Sequence, residues 1–216
     1  MNATDPVNRG GTRICRPAYR SVACWLAWML LHPLAVAAGP ASDPAQALHT
    51  AIDEVMTVIY EPTADQRAIA VRAQPVMEKS FDFAALTRRA VGPGWRQFTP
   101  EQQQQATALL TTLIVRNYCT HFDSSFRARI TYATPVPLAG DRCELPLTIA
   151  GSVNRYAVTY RAELTAGRWH FYDVVVEGVS LVANYRAQFA PLFQQGGASA
   201  IIRALEEKLA SPAVPS

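Results

Sequence analysis

Residues 169 to 176, Trp-His-Phe-Tyr-Asp-Val-Val-Val, constrain the fold more than any other stretch of this 216-residue chain. Trp169, Phe171 and Val175 fall on one alternating set, and Tyr172, Val174 and Val176 on the other. A strand with one wet face alternates apolar with polar, so a strand apolar on both sets is expected to be covered on both sides. One face can lie on a protein core; the other needs a second layer. The strand stops at Glu177-Gly178, and Ser180 then opens a helix with Leu181, Val182, Tyr185 and Phe189 on a common face.

The helices that could supply such cover are legible upstream. Asp43-Pro44 reads as an N-cap followed by proline at the first helical position. Leu48, Ile52, Val55, Met56 and Ile59 follow at helical spacing, and Glu61-Pro62 ends the run. Thr63 to Gln66 has capping-box spacing and opens a second helix with Ile69, Val76 and Met77. A short third helix is expected from Phe83 to Ala90, closed by Gly92-Pro93-Gly94. Thr99-Pro100-Glu101-Gln102 combines a capping box with proline at N1 and starts the strongest helix, to about Phe122. Leu109, Leu110, Leu113, Ile114 and Tyr118 form its apolar face.

After Asp123 the apolar period changes to two. Phe126 to Tyr132, Cys143 to Ile149 and Tyr156 to Leu164 each alternate, with turn residues at Gly140-Asp141, Gly151-Ser152 and Ala166-Gly167. Pro146 has no N–H for a ladder, which suggests an edge or a bulge. With 169 to 176 these make four strands close in sequence, hence an antiparallel meander. After the strands, Pro191 is expected to kink the C-terminal helix and Gly196-Gly197 to break it. A last amphipathic helix carries Ile201, Ile202, Leu205 and Leu209. The expected fold is α+β: N-terminal helices, a twisted four-stranded antiparallel meander, C-terminal helices, and an apolar cavity between the layers.

The N-terminus adds a compartment. Arg9, Arg13, Arg16 and Arg20 precede an uncharged apolar run from Val22 to Ala38, and Ala35-Val36-Ala37 supplies small residues for cleavage. This is the layout of a secretory signal peptide over residues 1–38. A membrane anchor fits less well, because the run is short and interrupted by His32-Pro33. Residues 39–210 then form one domain, and 211–216 a disordered, Pro-containing tail. Cleavage removes four of the 20 basic residues and one of the 17 acids, leaving 16 of each. A neutral chain without a basic stripe gives no footprint for nucleic acid. Only Cys119 and Cys143 remain after cleavage; in an oxidising compartment they either form one disulfide or pack as two buried thiols.

Chemistry is sparse. His49, His121 and His170 lack metal-ligand spacing, and no glycine-rich phosphate loop or dinucleotide fingerprint occurs. Gly178-Val179-Ser180 invites comparison with an esterase nucleophile elbow, but that motif requires glycine at position 182, and this chain has Val182. Ser180 therefore reads as a helix cap. Asp173 and Glu177 are acids in apolar surroundings, which more often bind backbone amides or an arginine than do acid–base work. Arg186 is the candidate partner for Glu177.

Trp169, Tyr172-Asp173, Glu177-Gly178-Val179-Ser180, Asn184-Tyr185-Arg186 and Phe189 resemble the C-terminal signature of the MlaC-type, or toluene-tolerance, family. The likeness extends more loosely through Thr99-Pro100-Glu101-Gln102, Gly94-Trp95 and Phe81-Asp82 to about Ala45. The resemblance implies a non-catalytic periplasmic phospholipid carrier serving outer-membrane lipid asymmetry. Its partners would be an inner-membrane ABC transporter complex and an outer-membrane lipoprotein complex. It implies no cofactor beyond the lipid cargo, and a monomer is expected. A diacyl phospholipid has about 30 chain methylenes, and exposing them at roughly 0.8 kcal/mol each costs more than about 20 kcal/mol. The carrier must therefore offer a dry cavity. Alternation and position suggest Leu113, Ile130, Leu147, Tyr156, Val158, Val174, Val176, Val179 and Tyr185 as its lining. The rival readings are a hopanoid-type carrier of the same superfamily and, in a different class, a small exported esterase using Ser180.

Overall fold

In a computed structural model that describes residues 43–61, 66–120 and 127–211, the chain opens with α1 (Pro44–Ile59). The Asp43 carboxylate accepts from the Ala45 N–H at its start, and the five apolar residues of its stripe are all buried. α2 (Gln66–Glu78) follows, with Pro75 inside it, and then α3 (Phe83–Val91), capped by Asp82, which accepts from Ala85 N–H at 2.7 Å. A 3-10 turn, Gly92–Gln97, leads to α4 (Pro100–Thr120). Thr99 and Gln102 cap α4 reciprocally: Thr99 N–H donates to Gln102 Oε1, and Gln102 N–H to Thr99 Oγ1. The leader expected over 1–38, the cap at Thr63, the end of the long helix at 121 and 122, Phe126 and the tail beyond 211 lie outside the described residues.

The sheet departs from the four-strand expectation, with six strands among the described residues. They are β1 (Arg129–Tyr132), β2 (Val136–Leu138), β3 (Arg142–Ala150), β4 (Arg155–Thr165), β5 (Arg168–Val176) and β6 (Val179–Ser180). Every pairing is antiparallel, in the order β1-β3-β4-β5-β6, with β2 also on β3. The expected first strand, Phe126 to Tyr132, is β1, and β2 is an unexpected short strand after it that shares the same neighbour. Pro146 faces the gap between β1 and β2: its carbonyl accepts from Ala133 N–H at 2.9 Å. A strand residue points its nitrogen and carbonyl to the same neighbour, so the missing N–H faces the gap at 133–135. Pro146 is therefore on an interior strand and not at the edge.

The second departure is β6. Glu177 (φ 48°) and Gly178 (φ 80°) are both left-handed, as a two-residue type I′ hairpin requires. Val176 pairs with Val179, and Val175 with Ser180, before the helix begins. The Ala166-Gly167 turn between β4 and β5 has the same signature. A bulge at Tyr172 shifts the β4–β5 register, and Phe171, Tyr172 and Asp173 are buried in succession. The two-sided cover expected of this strand holds at its centre and lapses at its end, where Val176 is exposed.

α5 (Leu181–Ala210) closes the fold against α3 and α4. It runs through Pro191 and bends at Gly196 and Gly197, so the interruption expected at the proline falls entirely on the glycines. Cys119 and Cys143 are free, separately buried thiols and do not form the disulfide considered above. Both pack as small apolar groups in the core, and burial pushes the Cys119 thiol up to about 11.

Candidate functional site

The inner face of the sheet follows from its register. Leu145, Tyr160 and Val174 form one cross-strand row; Leu147, Val158 and Val176 form the next; Ile149 and Tyr156 form a third. α1, α4 and the end of α2 lie over this face without meeting it everywhere, and the first turn of α5 closes one side. The result is a cavity of about 1050 Å³. That is at the upper end of the range for small-molecule sites.

Leu48, Ile52 and Val55 from α1, Ile114 and Tyr118 from α4, and Phe81 and Phe171 supply much of its wall. Among the described residues, the wall carries no Asp, Glu, Lys, Arg, His or Cys. Its polar atoms are hydroxyls and amides: Ser80, Asn117, Ser152, Asn154, Asn184 and five tyrosines. Tyr118 donates a hydrogen bond to Tyr160, and both phenols are raised above the usual range, first by burial. Burial also raises Tyr185. Such a wall holds an apolar body and can orient a polar end, but it supplies no general base. No cluster of three metal-ligating side chains exists among the described residues.

The lining residues inferred from the sequence separate into two groups. Tyr156, Val158, Val174, Val176, Val179 and Tyr185 lie on the cavity wall, whereas Leu113, Ile130 and Leu147 do not. Leu147 and Ile130 lie towards the β1 side of the sheet, where His49 of α1 stacks on Tyr132 at 3.7 Å and brings the layers together. On α4 the wall residues are Ile114, Asn117 and Tyr118, one position round from Leu113, which is buried in the core. Alternation identifies a face; it does not say where two layers part. Sequence reasoning also missed the α1 contribution and the 151–154 loop. The lone apolar Val153 in a Gly-Ser-Val-Asn turn was the available signal for the loop.

The acids are structural. Asp173, 2% exposed, accepts from Ser180 Oγ at 2.7 Å, Val182 N–H at 3.0 Å and Arg161 Nη1 at 3.1 Å. Ser180 Oγ in turn accepts from Ala183 N–H at 3.1 Å, which makes it the N-cap of α5. The carboxylate at this N-terminus also complements the helix dipole. Glu177 accepts from Ala157 N–H and donates its own N–H to the Ala157 carbonyl. Arg186 does not pair with Glu177, as expected above, but donates to the Arg89 carbonyl at the end of α3.

The MlaC protein family model matches residues 49–207 of this sequence. The chain belongs to the MlaC family. Among solved structures, a phospholipid-binding protein from Ralstonia solanacearum, in complex with a phospholipid, superposes with a TM-score of 0.72 at 25% identity. The match covers 77% of this chain and 97% of that one. No curated protein matches. For this MlaC family member, the resemblance drawn from residues 169–189 and the family assignment agree.

Proposed function

We propose that this protein is a periplasmic phospholipid carrier, working as a monomer between an outer-membrane lipoprotein complex and an inner-membrane ABC transporter complex. The observation that carries the reading is the 1050 Å³ cavity with an uncharged wall. A methylene takes up about as much space as a water molecule, roughly 30 Å³, so the cavity accommodates roughly 35 such groups. That matches the two acyl chains of a diacyl lipid and leaves the headgroup at the mouth. The family membership and the phospholipid-bound relative support the same cargo.

An uncharged wall has no means of selecting a headgroup by charge. Zwitterionic phosphatidylethanolamine and anionic phosphatidylglycerol should therefore enter comparably. The test is uptake of each, as a fluorescent analogue in detergent micelles, by delipidated protein. Saturable and comparable binding of both is expected. Failure of either lipid to bind overturns the carrier reading for that class, and failure of both overturns it outright.

A further inference from the structure

The exposed members of the cavity wall are clustered. Apart from Asn117 they are residues 151–154, Tyr156, Val176, Val179 and Asn184. All but Asn184, which lies one turn into α5, come from two neighbouring hairpins, β3–β4 and β5–β6. The register joins them, since Val158 pairs with Val176 and Val176 with Val179. Val153 at the first tip is 90% exposed, and Val179, just past the second, is 61% exposed. Tyr156 and Val176 are also exposed. Four of the large apolar side chains left in water thus ring one opening.

We infer that this rim touches a phospholipid bilayer directly and takes up lipid there; the inference rests on the carrier reading above. Three features favour a bilayer over a protein partner. The rim presents isolated side chains on narrow tips, and a few side chains expose well short of the roughly 800 Å² per partner that a stable protein complex buries. The tip Gly151-Ser152-Val153-Asn154 is uncharged, and the Glu177 carboxylate already accepts a backbone N–H, so entering the interface strips few charges of water. A tyrosine behind apolar tips, with Arg155 beside it, matches the order found at membrane surfaces: apolar groups deepest, an amphipathic ring at headgroup level, a cation outside. The patch is also continuous with the cavity, so an acyl chain can pass without crossing water.

The test uses delipidated full-length mature protein and vesicles of phosphatidylcholine carrying a self-quenched fluorescent phosphatidylcholine. Wild type should dequench the probe without any other protein present. The Val153→Asp/Val179→Asp variant should lose at least about tenfold in rate, roughly the loss of one apolar side-chain contact. Its binding to the same vesicles, read by co-flotation, should fall in parallel, which ties the lost rate to lost contact with the bilayer. Val71→Asp, on an exposed α2 position outside the cavity, should behave as wild type. A rim variant as fast as wild type overturns the inference. Wild type that loads from micelles but not from vesicles also overturns it and points to a protein partner at the rim. Failure to load from either source instead overturns the carrier reading.

Discussion

Ala166 is a residue under avoidable strain. At φ 52° it stands first in a two-residue turn, where a side chain costs roughly 1–2 kcal/mol in the left-handed region. Ala166→Gly removes that cost but adds entropy to the unfolded chain, so a net gain of about 0.5 kcal/mol is expected. It should appear as a higher urea midpoint at unchanged slope. Asp173 is the opposite case, a buried carboxylate on which a backbone amide, a hydroxyl and a guanidinium converge. Asp173→Ala leaves them without this acceptor and should cost about 3–5 kcal/mol, against about 1–2 kcal/mol for Ser180→Ala, which removes the cap and one of the three donors to Asp173. Equal losses in urea titration would show that Asp173 serves α5 only through Ser180.

The bend of α5 tests packing at the level of elements. A Cβ on Gly94 would stand 2.8 Å from the Phe193 ring, which lies within α5. Gly94→Ala should therefore destabilise by about 1–3 kcal/mol, and adding Phe193→Leu should recover part of that loss. Strict additivity in the double-mutant cycle would remove the proposed contact. Elements also show how far the sequence could be read. Helices declared themselves through Asp43, Thr99 and Ser180, because a cap is local chemistry. β2 did not, since three residues around Pro137 show no period and their separation from β1 depends on which neighbour faces the absent N–H of Pro146. β6 escaped because two residues are too few to show a period, and Glu177 is not a usual left-handed residue. The cavity wall was legible on β4 and β5, where alternation names the face. It was misjudged at Leu113, Ile130 and Leu147, where helix rotation and the closeness of the layers decide.

For the molecule as a whole, burial of phenols and a thiol makes the fold sensitive to alkali. Burial raises Cys119 to about 11 and Tyr132 to about 12, and it raises Tyr118, Tyr160 and Tyr185 as well. Each group holds its proton to higher pH when folded than when unfolded. The stability they contribute is complete below the unfolded values, about 8.5 for cysteine and 10 for tyrosine. It is lost as pH rises through the folded values, because there the unfolded chain binds fewer protons. The melting temperature should show no loss from these groups near neutrality and should fall from about pH 9 upward; a Tm unchanged to pH 11 or so would contradict this. The central claim, that the uncharged cavity holds a phospholipid, is tested most directly by native mass spectrometry of protein purified from expressing cells without detergent. Wild type should carry the added mass of one phospholipid, and Val158→Asp, which places a charge on the cavity wall, should lose it while remaining folded. Wild type without added mass, or a folded Val158→Asp carrying the same lipid, would contradict the account.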